Sequence, residues 1–400
     1  MLNKNSAILV LTMGFGVLLS RPADALPSFA KAYGVQCSVC HTVPPQLNAY
    51  GRYIQRTGYA ALTRDVLEKG TPITFSENPT LDTSTGSGHI EFGNEAVHAA
   101  GYLTPSITFH IHQWLVQNGQ IGGLDTFQFA YNFKDQLHLF AGKLSALPVP
   151  APFSNGSDLS PYATAELQVG EHMYQSDMMR WGSGLSYVGK KIYAQINWLG
   201  ANTGWNGATD FSADTDKTFQ WIAAYADPAN PFEAGVFGSV GALPLVEGGV
   251  DRYNTIAGYV QRDPGPNYVP GVFAVYQLGN DGNPGNPASV GMGLPLGSSL
   301  SDERAPFAMG SGSATSSAAR SRAFTLEAYE SLMNGSVILG VRKEFTDDGM
   351  GTLRNTAAVD LGITPITSYQ YLHLYLEGAT QPGMGPAWRG MAWWAVPVGR

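Results

Sequence analysis

Cysteine is nearly absent: the chain of 400 residues has two, Cys37 and Cys40. A disulfide framework needs several, so no network of bridges staples this fold. Charge is also scarce, at 14% of residues with a net charge of −8, and that acidic balance argues against a nucleic-acid partner. After the first twenty or so residues no apolar stretch is long enough to cross a bilayer as a helix, which excludes a helical membrane bundle. Abundant glycine (48 residues) and 11% aromatics fit neither that class nor a disordered tail.

What is present begins with the N-terminus. Lys4 supplies a positive start, Ala7 to Leu19 form an apolar run, and Ala23-Asp24-Ala25 is a small-x-small cleavage site. A membrane anchor is the alternative. The run is too short for about 30 Å of hydrocarbon, and Arg21 and Pro22 end it. Residues 1–25 therefore read as a signal peptide, with Leu26 the first mature residue.

Both cysteines fall in one motif, Cys37-Ser38-Val39-Cys40-His41. In a C-x-x-C-H sequence each thiol can add across a haem vinyl group, and the adjacent histidine reaches the iron from the same side. One covalent haem c is expected, with Cys37 and Cys40 as thioether residues and His41 as proximal iron ligand. Three rivals are weaker. A thioredoxin-like pair needs a βαβ context, a zinc site needs a fourth ligand when the next histidine is His89, and a disulfide leaves His41 unexplained.

The flanks read as helices. Pro27 opens one that Gly34 closes; Leu47, Tyr50 and Ile54 mark an apolar face of a second, which Gly58 closes. Arg52 and Arg56 lie on the opposite side and are candidates for haem propionates or, more simply, for solvated arginines. Between Leu26 and Gly70 there is no methionine and no second histidine, so a sixth iron ligand must come from elsewhere in the chain. No residue is singled out as catalytic.

From about residue 71 the period is two. Ile107, Phe109, Ile111 and Leu115 alternate with Ser106, Thr108, His110 and His112; Phe127, Phe129, Tyr131 and Phe133 do so with Thr126, Gln128 and Asn132. Ile192 to Trp198 and Leu372 to Glu377 repeat the pattern. Such strands suit a soluble sheet or a membrane barrel. The connections favour the barrel. Short turns (Thr104-Pro105, Lys134-Asp135, Gly189-Lys190, Asp227 to Pro231, Asp263 to Asn267, Met333 to Gly335, Thr364 to Ser368) interleave with longer ones (Asn118 to Asp125, Ser145 to Asp177, Ala201 to Lys217, Gly279 to Ser321, Thr346 to Arg354). Trp114, Phe133, Trp198, Tyr259 and Phe345 are placed as interfacial girdle residues. The fold expected is mainly β: about 16 antiparallel strands forming a transmembrane barrel over residues 71–400. A short α-helical haem segment over 26–70 would act as a plug, with both chain ends on the periplasmic side. The terminal Val398-Gly399-Arg400 lacks the final aromatic usual in outer-membrane proteins.

A haem motif at the mature N-terminus followed by a barrel resembles the fused cytochrome-porin family of iron-oxidising bacteria. The resemblance lies in Leu26 to Tyr59, where L-P-S-F-A-K-x-x-G, C-x-x-C-H-T, P-x-L-N-x-x-G-R and G-Y look like that family's haem domain; the barrel matches in kind. It implies an outer-membrane protein, in contact with outer-membrane lipid, that passes single electrons from extracellular Fe(II) to a periplasmic cytochrome or copper protein. Its enzymatic activity would be Fe(II) oxidation. A diffusion porin whose haem segment senses redox state or tethers a partner is the alternative, and a soluble cytochrome fused to a β-sandwich is a third.

Two further expectations follow. His110, His112 and His138, on polar strand faces, are candidates for the distal iron position, with Met173, Met178 and Met179 behind them. Asp158, Glu166, Glu171, Asp281, Asp302, Glu303, Asp347 and Asp348 are assigned to external loops, where they either hold Fe(II) transiently or are plain solvated charges.

Overall fold

The computed structural model describes residues 27–43, 46–62, 72–77, 79–82, 89–91, 95–117, 120–144, 162, 166–169, 172–175, 179–200, 217–244, 250–265, 269–282, 319–333, 337–349, 351, 353–363, 366–367, 370–380 and 387–398. None of the described helices is long and apolar enough to cross a membrane.

Two helices come first, α1 (Pro27–Tyr33) and α2 (Ala49–Arg56). The sheet then runs through β1 (Ile73–Glu77 and Thr80–Asp82), β2 (His89–Glu91 and Glu95–Thr104), β3 (Ile107–Trp114), β4 (Leu124–Lys134), β5 (Leu137–Leu144), β6 (Arg180–Val188), β7 (Ile192–Gly200) and β8 (Lys217–Ala226). It continues through β9 (Phe232–Pro244), β10 (Val250–Arg262), β11 (Gly271–Asp281), β12 (Ala319–Leu332), β13 (Val337–Asp347), β14 (Leu353–Ile363), β15 (Gln370–Thr380) and β16 (Ala387–Val398). A two-residue spur, Ile366–Thr367, hangs on β15. Neighbours in sequence pair antiparallel, and β16 returns to β1 with Val398 opposite Ile73 and Arg389 opposite Asp82. The sheet is a closed barrel of sixteen staves. Closure removes every sheet edge, which is what a strand needs in hydrocarbon, and it rules out the β-sandwich.

The period-two reading holds face by face. On β12, Ala319, Ser321, Ala323, Thr325, Glu327 and Tyr329 are buried, while the residues between them, Phe324 and Leu326 among them, are exposed. The same outward face carries Ile196, Trp198, Val236, Val240, Ile256, Val260, Val341 and Val359. Exposed apolar side chains around the outside and buried polar ones inside invert the pattern of a soluble protein and match a lipid-facing barrel. Two girdle assignments are corrected. Tyr259 is 3% exposed and donates inward to Glu233, and Trp114 packs on the lumen residue His112. An aromatic residue near a strand end marks a girdle only when it falls on the outward phase.

Ile73 and Val398 lie at the end of the short turns, so the segment preceding β1 enters there. At the other end, the connection after β5 does not stay outside. Its hairpin, Glu166–Val169 with His172–Gln175, packs against β11, β12 and β13, and Tyr162 and Leu167 are buried in the lumen.

Candidate haem site

Gly34, in the left-handed region at φ +61°, ends α1 and turns the chain into a single 3₁₀ turn, Cys37–Val39. Cys40 N–H closes that turn on Cys37 O at 2.9 Å. Both thiols are unbridged; Cys37 is buried and Cys40 half-buried. Burial pushes the Cys40 thiol up from its ordinary range. No βαβ unit surrounds the pair among the described residues, and that is the context a thioredoxin-like site requires.

α2 is bound directly to the motif. Asn48 caps it by accepting from Gly51 N–H at 3.0 Å, donates its own N–H to Cys40 O, and extends its amide to Ser38 O and Val39 O. Gly51 is required by contact: a Cβ there would lie 2.0 Å from Cys40 O. Val35, Val39 and Tyr50 remain exposed beside the motif. Two reduced thiols on one turn, a histidine next to them and uncovered apolar surface alongside fit a covalent porphyrin. Cys37, Cys40 and His41 would hold it.

Arg52 and Arg56 do not face solvent. They are 4% and 3% exposed, on the inward face of α2 with Ile54, while Tyr50 points out. Arg52 Nε meets Glu233 Oε2 at 3.0 Å, and its Nη1 and Nη2 take the two oxygens of Asp263 at 3.0 and 3.1 Å. Arg56 grips Glu233 through Nη2 at 2.5 Å and Nη1 at 3.1 Å, with its plane 4.3 Å over the Tyr193 ring. Burial works against both charges, and the carboxylates more than restore them: both guanidiniums stay above their ordinary range. The propionate role is thereby corrected. These arginines anchor the segment to β9 and to the turn after β10, because the helix faces a polar lumen rather than an apolar core.

Other contacts ring the segment. Ser28 bonds Thr74 of β1 at 2.6 Å, Tyr102 of β2 donates to Ala60 O at 3.0 Å, and Ser186 of β6 donates to Arg56 O. Gly58, at φ +58°, has room for no side chain, since a Cβ would sit 2.7 Å from Ala130 of β4 and 2.9 Å from Phe140 of β5. Tyr59 follows at φ +70°, a strained position for a non-glycine residue, held by stacking on Phe29 at 5.6 Å and against His110 at 5.3 Å. Beside α2 the free space is about 10 Å³, lined by Ala49, Tyr53, Arg56, Tyr193 and Glu233, roughly the room of one water. The described residues of 27–62 are thus tied to the barrel wall at the short-turn mouth.

The three candidate barrel histidines lie on the lumen side. His110 packs on Tyr59; His112 donates to Asp125 at 2.9 Å and stacks on His98 at 4.0 Å; His138, fully buried, donates to Asn132 at 2.7 Å. Among the described residues no three His, Cys, Asp or Glu side chains form a metal site. Met179 stands just before β6; the Met173 side chain and Met178 fall outside the described residues.

The external carboxylates divide. Asp281 is buried at the end of β11, and Asp347 ends β13 paired with Arg322 at 3.1 Å, so both belong to strands. Glu166 is in the lumen hairpin, and Asp348 follows β13, half-buried. Asp158, Glu171, Asp302 and Glu303 are outside the described residues.

Sequence reasoning missed Glu233 and Asp263. Their signal was a charge on the inward phase next to a short turn, but a pairing across some 200 residues is not local. It also missed the upper lumen, where Arg342 (β13) meets Glu377 (β15) at 3.2 Å and Glu344 at 3.6 Å and lies 4.3 Å over the Tyr162 ring. Tyr162 donates to Glu327 and Tyr375 to Asp360 there.

No protein family and no curated protein matches the sequence. Solved structures do. An anion-selective porin from Comamonas acidovorans aligns at TM-score 0.51 and 9% identity, over 82% of this chain and 98% of its own. Pseudomonas putida OprB aligns at 0.52 and 10%, over 85% and 97%; another structure described as a porin reaches 0.53 at 9% identity, over 82% and 100%. This is a porin fold. At such identities the likeness carries the architecture alone, and the haem segment's resemblance rests on its own residues.

Proposed function

We propose that this protein is an outer-membrane electron-transfer protein, a porin-fold barrel closed by its own haem-binding segment. It takes single electrons from extracellular Fe(II), leaving Fe(III), and reduces a periplasmic cytochrome or copper protein by the same electron. The observation that supports this best is the anchoring of the Cys37–His41 segment inside the short-turn mouth by Arg52 and Arg56 on Glu233 and Asp263. When bound there, haem c supplies a one-electron couple at the periplasmic end of an otherwise insulating wall. The protein's own residues fix that position and fill the lumen around it: Thr108, His138, Ser186 and Asn197 have no exposed surface.

The test is haem reduction in intact cells by Fe(II), followed by absorption. Reduction in cells carrying the protein and none in cells carrying Cys40→Ala is the expected result; no reduction in either sinks the reading. The fold favours one competitor, a diffusion porin with a redox-sensing or tethering segment. It predicts open-channel conductance with the segment in place.

A further inference from the structure

The geometry points to the short-turn mouth as a docking surface for an acidic soluble electron-transfer protein; the redox part of that description rests on the function proposed above. The chain as a whole carries −8, yet its exposed charges at this end are of the other sign. Among the described residues, Lys31 on α1, Lys134 at the end of β4, Lys190 and Lys191 after β6, and Arg262 at the end of β10 are exposed, against Asp135. Asp227 and Glu330 are half-buried and accept from the N–H groups of Ala229, in the turn, and of Ser331, near the end of β12. The remaining short turns, 266–268, 334–336 and 364–369, contain no charged residue.

The opposite connections reverse the balance. In sequence they hold Asp158, Asp177, Asp210, Asp214, Asp216, Glu247, Asp302 and Glu303 against Arg304. A charged molecule with its two ends of opposite sign orients its partners, and the basic end steers acidic ones. Inside this basic ring lies the apolar patch of Val35, Val39 and Tyr50, next to Cys40. An apolar centre within a charged rim is the anatomy of a transient interface. The basic ring sets the partner's sign, and the patch sets the point of closest approach beside the cysteine motif.

The test uses the full haem-loaded chain in nanodiscs of neutral phosphatidylcholine, with two soluble probes: the soluble domain of cytochrome b5, which is acidic, and mitochondrial cytochrome c, which is basic. The acidic probe should bind at low salt and weaken about tenfold or more as ionic strength rises toward about 0.3 M, where screening closes in to several ångströms. The basic probe should not bind. The triple variant Lys134→Glu, Lys190→Glu, Lys191→Glu should lose the acidic probe while keeping the haem spectrum and heat-shifted gel mobility of the parent. Equal binding of both probes, or an unchanged affinity in the triple variant, overturns the proposal. So does a variant altered only in its preference for phosphatidylglycerol vesicles, because the lysines would then serve lipid headgroups. Docking that persists without Fe(II)-driven haem reduction supports this surface and removes the electron-transfer reading instead.

Discussion

Arg52 and Arg56 sit one turn apart on α2 and share a single carboxylate, Glu233. A buried pair of this kind adds little net stability over an apolar equivalent, but removing one partner leaves an uncompensated charge and costs about 3–5 kcal/mol. Glu233→Gln should therefore loosen the plug far more than its near-identical shape suggests. Proteolysis of residues 27–62 in the folded barrel should speed up about a hundredfold or more, a change of roughly 1.4 kcal/mol per tenfold. An unchanged cleavage rate would show that the ion pairs do not hold the segment. Gly51 offers a second test with a reversed sign. Helix propensity alone makes Gly→Ala favourable by about 0.5–1 kcal/mol, but a Cβ at this position meets Cys40 O at 2.0 Å. Gly51→Ala should reduce covalent haem, read as peroxidase stain on a denaturing gel, although both cysteines and His41 are intact; a full-strength stain would refute the contact.

At the scale of elements, the legible parts were those with a local cause. Each short turn falls where Gly, Pro, Asn or Asp punctuate an alternating run, and the polar phase of each strand named its lumen side, as with Thr108, His110 and His112. Pro27, Gly34 and Gly58 bounded the two helical regions for the same reason. The faces of α2 were legible only in part: Ile54 is buried as an apolar face requires, but apolar periodicity assumes an apolar core. Here the interior is polar, so Arg52 and Arg56 turn inward and Tyr50 outward. The inward fold of the hairpin at 166–175 was illegible too: it packs on β11, β12 and β13, and the partners of Tyr162 just before it, Glu327 and Arg342, are more than 160 residues away. That hairpin meets a compartment in which Glu327, Glu344, Asp360 and Glu377 surround Arg342. Arg342→Met should remove the cation they share and lower the temperature of the heat-induced gel shift by several degrees, whereas Arg322→Met, on an exposed pair, should leave it within error. Equal shifts would mean that the compartment does not need its arginine.

For the whole molecule, the decisive property is whether the barrel is open. A porin fold presents a lumen as wide as its strand number allows, and sixteen staves ordinarily leave an aqueous channel. In this chain two insertions enter that space from opposite ends: residues 27–62 at the short turns, and Tyr162 with the 166–175 hairpin from the long connections. The lumen side chains Thr108, His138, Ser186, Asn197, Thr325 and Glu377 have no exposed surface. An electron relay tolerates such a closed wall and a diffusion porin does not, so conductance separates the two readings without any assumption about the redox partner. The full chain in a planar bilayer should show almost no ion current. Arg52→Met with Arg56→Met removes both charges that fasten the plug to Glu233 and Asp263 while keeping side-chain length, and should produce stepwise currents of porin size. A truncation starting at residue 72 should give the same currents and fixes the size expected of an unplugged barrel. Full porin current from the unmodified, haem-loaded chain would favour the diffusion reading, since ions would then pass the segment tied to the wall at the short-turn mouth.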